Sequence, residues 1–267
     1  MSEIIKAIVF GVIQGISEWL PISSTGHLIL VEQFLSLGSK EFFEVFKVVI
    51  QLGSILAVCV LYFRRLNPFT KKKTYSQKRD IWQLWFKIFI GVIPAGIIGV
   101  LFDDMIESQL SGIVVIAITL IVYGVAFIFW ESKKHYPDIQ RLEDLDYKSA
   151  LGIGCFQVLA LIPGTSRSGA TILGGSILGC SRKVASEFSF FLALPVMAGA
   201  SLIKLLKFGF TFTTTQLIVL CVGTLVSFVV SIFAIRFLLD YIREHDFKVF
   251  GYYRIILGII IILTIIF

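Results

Sequence analysis

A chain of 267 residues that is 57% hydrophobic and only 16% charged, with a mean hydropathy of +0.89, lacks the charged surface of a water-soluble domain, in which about a quarter of residues are charged. It reads as an all-α integral membrane protein. The formal charge of +6 is not a nucleic-acid signal, because the basic residues gather in one loop between apolar runs, the pattern that orients membrane proteins.

The first apolar region, 3–38, lacks the basic leader segment and small-residue cleavage site of a signal peptide and reads as part of the mature protein. It is broken near its middle by "LPISSTGH" (Leu20–His27). Six spanning helices follow, at 42–63, 81–102, 112–130, 186–208, 216–239 and 250–267, each near the roughly 20 residues needed to cross a bilayer. Between the third and fourth, region 150–180 is again apolar and again broken, by "PGTSRSG" (Pro163–Gly169). Non-helical backbone at membrane depth survives only where protein or a wet cavity surrounds it. Both regions are therefore expected to be re-entrant helix pairs whose tips meet inside the protein. The cysteines, Cys59, Cys155, Cys180 and Cys221, lie scattered in or beside these apolar stretches and read as buried packing residues.

The two broken regions correspond. Gln14 and Gln157, Gly26 and Gly169, and Glu44 and Glu187 are each separated by 143 residues. The sequence thus reads as a single membrane domain, 1–267, made of two repeats, 1–131 and 150–267, joined by a cytoplasmic loop, 131–149. Three crossings plus a re-entrant pair per repeat force the second copy to be inverted, an arrangement that builds polar sites near the midplane. The loop 64–80 carries Arg64, Arg65, Lys71, Lys72, Lys73, Lys78 and Arg79 and is expected inside; the loop 103–111, with Asp103, Asp104 and Glu107, is expected outside. Both termini then face outward, with 209–215 outside and 240–249 inside.

Candidate chemistry lies at the two breaks. Gln14 and Glu18 share a helical face, and an ionisable residue inside a membrane segment marks function by default. Ser23, Ser24 and Thr25 stand where a returning half-helix begins, beside Gly26 and His27. One helix cap needs one hydroxyl; three suggest an anion site at the positive end of the half-helix. His27, one turn after Ser24, is suited to acid–base work. The second break offers Ser166, Arg167, Ser168, Gly169 and Thr171. The planar fork of Arg167 suits phosphate, the alternative being a structural bridge from Arg167 to Glu18 or Glu187. Anion donors, a carboxylate able to hold a divalent cation, a hydroxyl and a histidine make a phosphoryl-transfer set.

"QGISEWLPISSTGH" and "PGTSRSGAT", with "FEVFKVVIQLGSILAV" and "ASEFSFFLALPVMAGA", resemble the signatures of the bacterial undecaprenyl-diphosphate phosphatase, or bacitracin-resistance, family along the whole chain. The resemblance implies a multi-pass enzyme of the bacterial plasma membrane, with its site opening to the outer face. Such an enzyme hydrolyses undecaprenyl diphosphate to the monophosphate, recycling the lipid carrier for cell-wall synthesis and conferring bacitracin resistance. It also implies a divalent cation, Mg or Ca, held by Glu18. By matching positions it implies a catalytic set of Glu18, Ser24, His27 and Arg167, with Gln14, Ser23, Thr25, Gly26, Ser166, Ser168, Gly169 and Thr171 binding substrate. The family motif opens with Glu or Gln; Gln14 stands there, so only Glu18 carries charge. Expected partners are the polyprenyl diphosphate and membrane lipids, with no nucleic acid, and the oligomeric state is left open. A carrier or flippase is the rival reading, since such repeats are shared with transporters. The other lipid-phosphatase superfamily is disfavoured because the chain has no Arg-Pro dipeptide.

Overall fold

The computed structural model describes residues 2–209 and 211–266, with all side chains there except those of Asp103, Asp104 and Glu107. The first broken region forms α1 (Glu3–Ser17) and α2 (Ser24–Glu32). There follow α3 (Lys40–Leu61), the single turn α4 (Phe63–Leu66), α5 (Tyr75–Leu110) and α6 (Ile113–Glu131). The second broken region forms α7 (Tyr147–Val158), continued by a tight turn at Leu159–Leu161, and α8 (Arg167–Ile177). The chain closes with α9 (Arg182–Phe208), α10 (Thr214–Glu244) and α11 (Lys248–Ile266). Six of these, α3, α5, α6, α9, α10 and α11, are long and apolar enough to cross a membrane. Among the described residues there is no β-strand.

The helices start where side chains can cap them. Ser39 accepts from the Phe42 N–H, Asp146 from Ser149 and Ser181 from Val184, while Thr74 and Thr213 form reciprocal capping boxes with Gln77 and Gln216. These caps correct several expected boundaries. The second span begins at Tyr75 rather than at 81, because Thr74 and Gln77 nucleate the turn. It also runs through the expected outer loop 103–111 to Leu110, because 103–110 contains no Gly or Pro to stop it. α10 likewise continues to Glu244, shortening the expected 240–249 loop. The acidic side chains of Asp103, Asp104 and Glu107, on which the outside assignment of that segment rests, lie outside the described set.

The halves pack by exchange. α1 lies on α10 and α7 lies on α5, while α3 meets α9 and α6 meets α11. A Cβ on Gly11 would stand 2.7 Å from the Gly223 carbonyl oxygen, and one on Gly154 would stand 2.2 Å from that of Gly91. Gly11 and Gly154 are 143 residues apart, the same separation as Gln14 and Gln157. At the α6–α11 crossing the contact is reciprocal, since a Cβ on either Gly124 or Gly251 would meet the other's carbonyl at 2.7 Å. Small residues at crossings are how membrane helices gain dispersion contact when lipid gives no hydrophobic drive between them. A buried hydroxyl cluster, Ser54–Ser227 at 2.8 Å and Ser231–Ser54 at 3.1 Å, joins α3 to α10 in the same interior.

Candidate active site

Both breaks have the same backbone. Ser23 and Ser166 are the only non-glycine residues with positive φ among those described, at 73° and 72°. Each is the N-cap of its half-helix, accepting from the Gly26 N–H at 3.3 Å and the Gly169 N–H at 3.1 Å respectively. A left-handed serine costs about 1–3 kcal/mol, and its occurrence at two matched positions marks a shape the surroundings enforce. Gly164 enters the second break at φ 88°, and a Cβ there would lie 2.2 Å from Thr119 Oγ1 on α6; conformation and space both demand glycine.

The tips meet. Glu18, 6% exposed at the end of α1, accepts through Oε2 from Gln14 Nε2 and from Ser24 Oγ, each at 2.9 Å. Its Oε1 accepts from Arg167 Nη2 at 3.2 Å. Arg167 also donates through Nη1 to the Ser189 carbonyl at 2.8 Å and to Ser189 Oγ at 3.2 Å, and it stacks over the buried Trp19 at 5.6 Å. Ser168 Oγ is shared between the carbonyls of Glu18 and Leu20, at 3.0 and 3.1 Å. Thr171 closes the second tip through Arg167 O at 2.8 Å and Ser189 Oγ at 2.7 Å. Of the two bridges considered for Arg167, the structure forms the one to Glu18. Glu187 instead takes Arg65 at 2.9 Å, and Glu44, 143 residues before it, pairs with Lys47 at 2.5 Å.

His27 sits differently from expectation. Its ring contacts the Ser23 carbonyl through Nδ1 and Tyr253 Oη through Nε2, both at 2.6 Å, and stacks on Tyr253 with 7° between planes. A carbonyl only accepts, so Nδ1 carries a proton, and in the neutral ring Nε2 accepts from the Tyr253 hydroxyl. Ser24 turns to Glu18 rather than to His27, because the α1 carboxylate already faces the start of α2. Thr25 is exposed, Ser24 and Ser166 half-buried, and Gly26 and Gly169 buried at the two helix starts.

Sequence reasoning missed three participants. Ser189 anchors Arg167 from α9. Tyr253 and Arg254, neighbours on α11, reach the first and both breaks respectively. Arg254 is wholly buried and donates to Pro21 O at 3.1 Å, Gly164 O at 3.0 Å, Thr165 O at 2.8 Å and Leu120 O at 3.4 Å. The signal was present: an arginine inside the last apolar run is itself a mark of function. Nothing local pointed to Ser189.

Charge and orphaned atoms say what this arrangement can hold. Two arginines, two half-helix N-termini and one carboxylate leave a positive surplus, so the site suits an anion. Arg167 Nε and Gln14 Oε1 are buried without a partner, one a donor and one an acceptor. No group of three or more His, Cys, Asp or Glu among the described residues could hold a metal alone. The hard oxygens of Glu18 and Ser24 and the orphaned Gln14 Oε1 are nevertheless of the kind that Mg and Ca ions take.

Residues 7–260 match the family described as bacitracin resistance protein BacA. The chain is 58% identical to the undecaprenyl-diphosphatase of Acetivibrio thermocellus, with 98% of each chain aligned. It is 56% identical to undecaprenyl-diphosphatase 1 of Clostridioides difficile, over 98% of this chain and 96% of that one. It is also 56% identical to the undecaprenyl-diphosphatase of Enterococcus faecalis, over 96% and 95%.

Proposed function

The chain belongs to the bacitracin resistance protein BacA family, and from that premise we propose that its two broken helices form a diphosphatase site opening to the outer face of the bacterial plasma membrane. The protein is a multi-pass membrane hydrolase that converts undecaprenyl diphosphate to undecaprenyl phosphate and phosphate, returning the lipid carrier to cell-wall synthesis. The observation that carries the site assignment is the Ser24–Glu18–Arg167 cluster, in which one carboxylate touches a hydroxyl from one break and a guanidinium from the other.

The terminal phosphate lies against the N–H groups at the starts of α2 and α8, where Arg167 neutralises the charge that spreads over its oxygens. Ser24 Oγ attacks the terminal phosphorus while its proton passes to Glu18 along the existing 2.9 Å hydrogen bond. The bond from that phosphorus to the bridging oxygen breaks, and undecaprenyl phosphate leaves with the electron pair. Water then cleaves the phosphoserine and phosphate departs. His27, held by Ser23 and Tyr253, is the proton carrier for the water step, its Nε2 exchanging the Tyr253 hydrogen bond for the water. Glu18 and the Gln14 side-chain oxygen would hold a divalent cation, which would supply further charge neutralisation to the phosphate when bound. The exchange packing of α1–α10 with α7–α5 supports the reading of two inverted repeats meeting at this site.

The test is release of inorganic phosphate from undecaprenyl diphosphate by purified protein in detergent, where no compartments exist. A carrier leaves the diphosphate intact there. Acid-quenched protein carrying phosphate on Ser24 supports the covalent route, and turnover without it, together with an active Ser24→Ala, refutes that route.

A further inference from the structure

Arg254 takes no part in the bond-making steps just described, yet its burial is costly. Its guanidinium is 0% exposed and, among the described residues, has no carboxylate partner. Its contacts are four main-chain carbonyls and the face of Tyr123 at 5.4 Å. A buried unpaired charge is retained only where something is gained from it.

The carbonyls it binds are specific. Pro21 lies three residues before Ser24, and Gly164 and Thr165 lie just before Arg167. One planar fork therefore holds the last turns of both breaks at once, from α11. Tyr253, the adjacent residue, holds His27 Nε2 at 2.6 Å. Gly169 leaves room for the fork, since a Cβ there would stand 3.0 Å from Arg254 Nη1. Satisfying carbonyls alone calls for neutral donors, such as the Thr119 hydroxyl that serves the Pro163 carbonyl at 2.8 Å. A rigid charged fork adds fixed geometry across two tips and a positive potential beneath two half-helix N-termini.

We propose that Arg254 is a positioning residue of the active site, clamping the Ser24 and Arg167 tips in register, with Tyr253 fixing His27 from the same helical turn. This rests on the two breaks forming the catalytic site. A lysine at position 254 keeps the charge but spans fewer of the carbonyls, so the tips shift relative to each other, and displacement of reacting groups by about 1 Å costs on the order of 100-fold in rate.

The experiment compares wild type, Arg254→Lys, Arg254→Gln, Tyr253→Phe and Tyr123→Leu with Glu18→Gln as reference. Each is purified in detergent and measured for thermal midpoint, kcat and KM on undecaprenyl diphosphate. The expected result is a monodisperse Arg254→Lys protein whose kcat per folded molecule falls roughly 100-fold while KM stays within about threefold. Tyr253→Phe should lose about tenfold in kcat through His27. A purely structural arginine lowers the midpoint and leaves kcat per folded molecule unchanged; that result overturns the proposal. Should the Arg254 variants fail to fold, Tyr123→Leu, which removes only the ring under the guanidinium, decides it: a lowered kcat at constant KM supports the clamp and a wild-type kcat refutes it. If Glu18→Gln is inactive while Arg254→Lys is normal, the clamp alone falls. If Glu18→Gln is active, the site assignment falls.

Discussion

Glu18→Gln tests the centre of the site with the smallest change of shape. The carboxylate takes three side-chain hydrogen bonds, from Gln14, Ser24 and Arg167. An amide can keep all three, those to Ser24 and Gln14 in neutral form. Its oxygen faces Arg167, and its NH2 faces Ser24, whose hydroxyl can accept, and Gln14, whose unpartnered Oε1 accepts once that amide rotates. What is lost is charge. Hydrogen bonds to charged groups contribute about 1.5–3 kcal/mol against about 0.5–1.5 for neutral ones, so the two exchanges at Ser24 and Gln14 cost about 2 kcal/mol, and the lost attraction to Arg167, whose own bond keeps its charged donor, brings this to about 3 kcal/mol of stability. That agrees with the roughly 3–5 kcal/mol for removing one partner of a buried ion pair, here with the two side chains 6% and 11% exposed. Turnover should suffer more, by about 10²–10⁴-fold, because proton acceptance from Ser24 disappears; at about 1.4 kcal/mol per tenfold this is roughly 3–6 kcal/mol of barrier. Phosphate release in detergent, normalised to the monodisperse folded fraction, measures it. A well-folded Glu18→Gln protein with wild-type turnover refutes the assignment of Glu18 and the reasoning that placed it.

Four further outcomes follow from the same geometry. Arg167→Lys should lose at least 100-fold in kcat/KM, since one ammonium cannot reach both Ser189 and Glu18 while presenting a fork to phosphate; activity within tenfold of wild type contradicts this. Ser24→Ala should abolish hydrolysis at a stability cost of only about 1 kcal/mol, whereas Ser23→Ala, losing a cap and placing alanine at φ 73°, should weaken folding by about 2 kcal/mol and leave measurable turnover. Cysteines substituted at Lys71–Lys73 should resist a membrane-impermeant thiol reagent in intact cells while a cysteine at Asp103 or Glu107 reacts; the reverse pattern inverts the orientation and the outer-face site with it. Gly154→Ala, whose Cβ would lie 2.2 Å from the Gly91 carbonyl oxygen, should force α5 and α7 apart and cost about 3 kcal/mol, lowering the thermal midpoint; an unchanged midpoint contradicts the packing.

The comparison of expectation with structure is sharpest at His27. Three residues of helix separate it from Ser24, and that spacing alone suggests a pair. The tertiary structure gives Ser24 to Glu18 and His27 to Tyr253, which lies 226 residues away. Helical spacing fixes which residues share a face but not which partner from another element reaches that face first.

The sequence by itself determined the membrane class, the six spans, the two breaks and the identity of Glu18, Ser24 and Arg167 as unusual. The physical reason is that the hydrocarbon core penalises polar groups so heavily that each one left in an apolar run stands out. Helix ends were less legible, because caps such as Thr74–Gln77 and the absence of a breaker through 103–110 act locally and weakly. Only the tertiary structure decided which polar groups meet. Residues from α1, α2, α8, α9 and α11 converge on one point through backbone crossings as close as those at Gly91–Gly154 and Gly124–Gly251. The packing of α8 on α9 gives Arg167 its Ser189 anchor, and that of α11 on α6 brings Arg254 to both breaks, because contacts between distant segments depend on how whole helices pack, and no local periodicity carries that information.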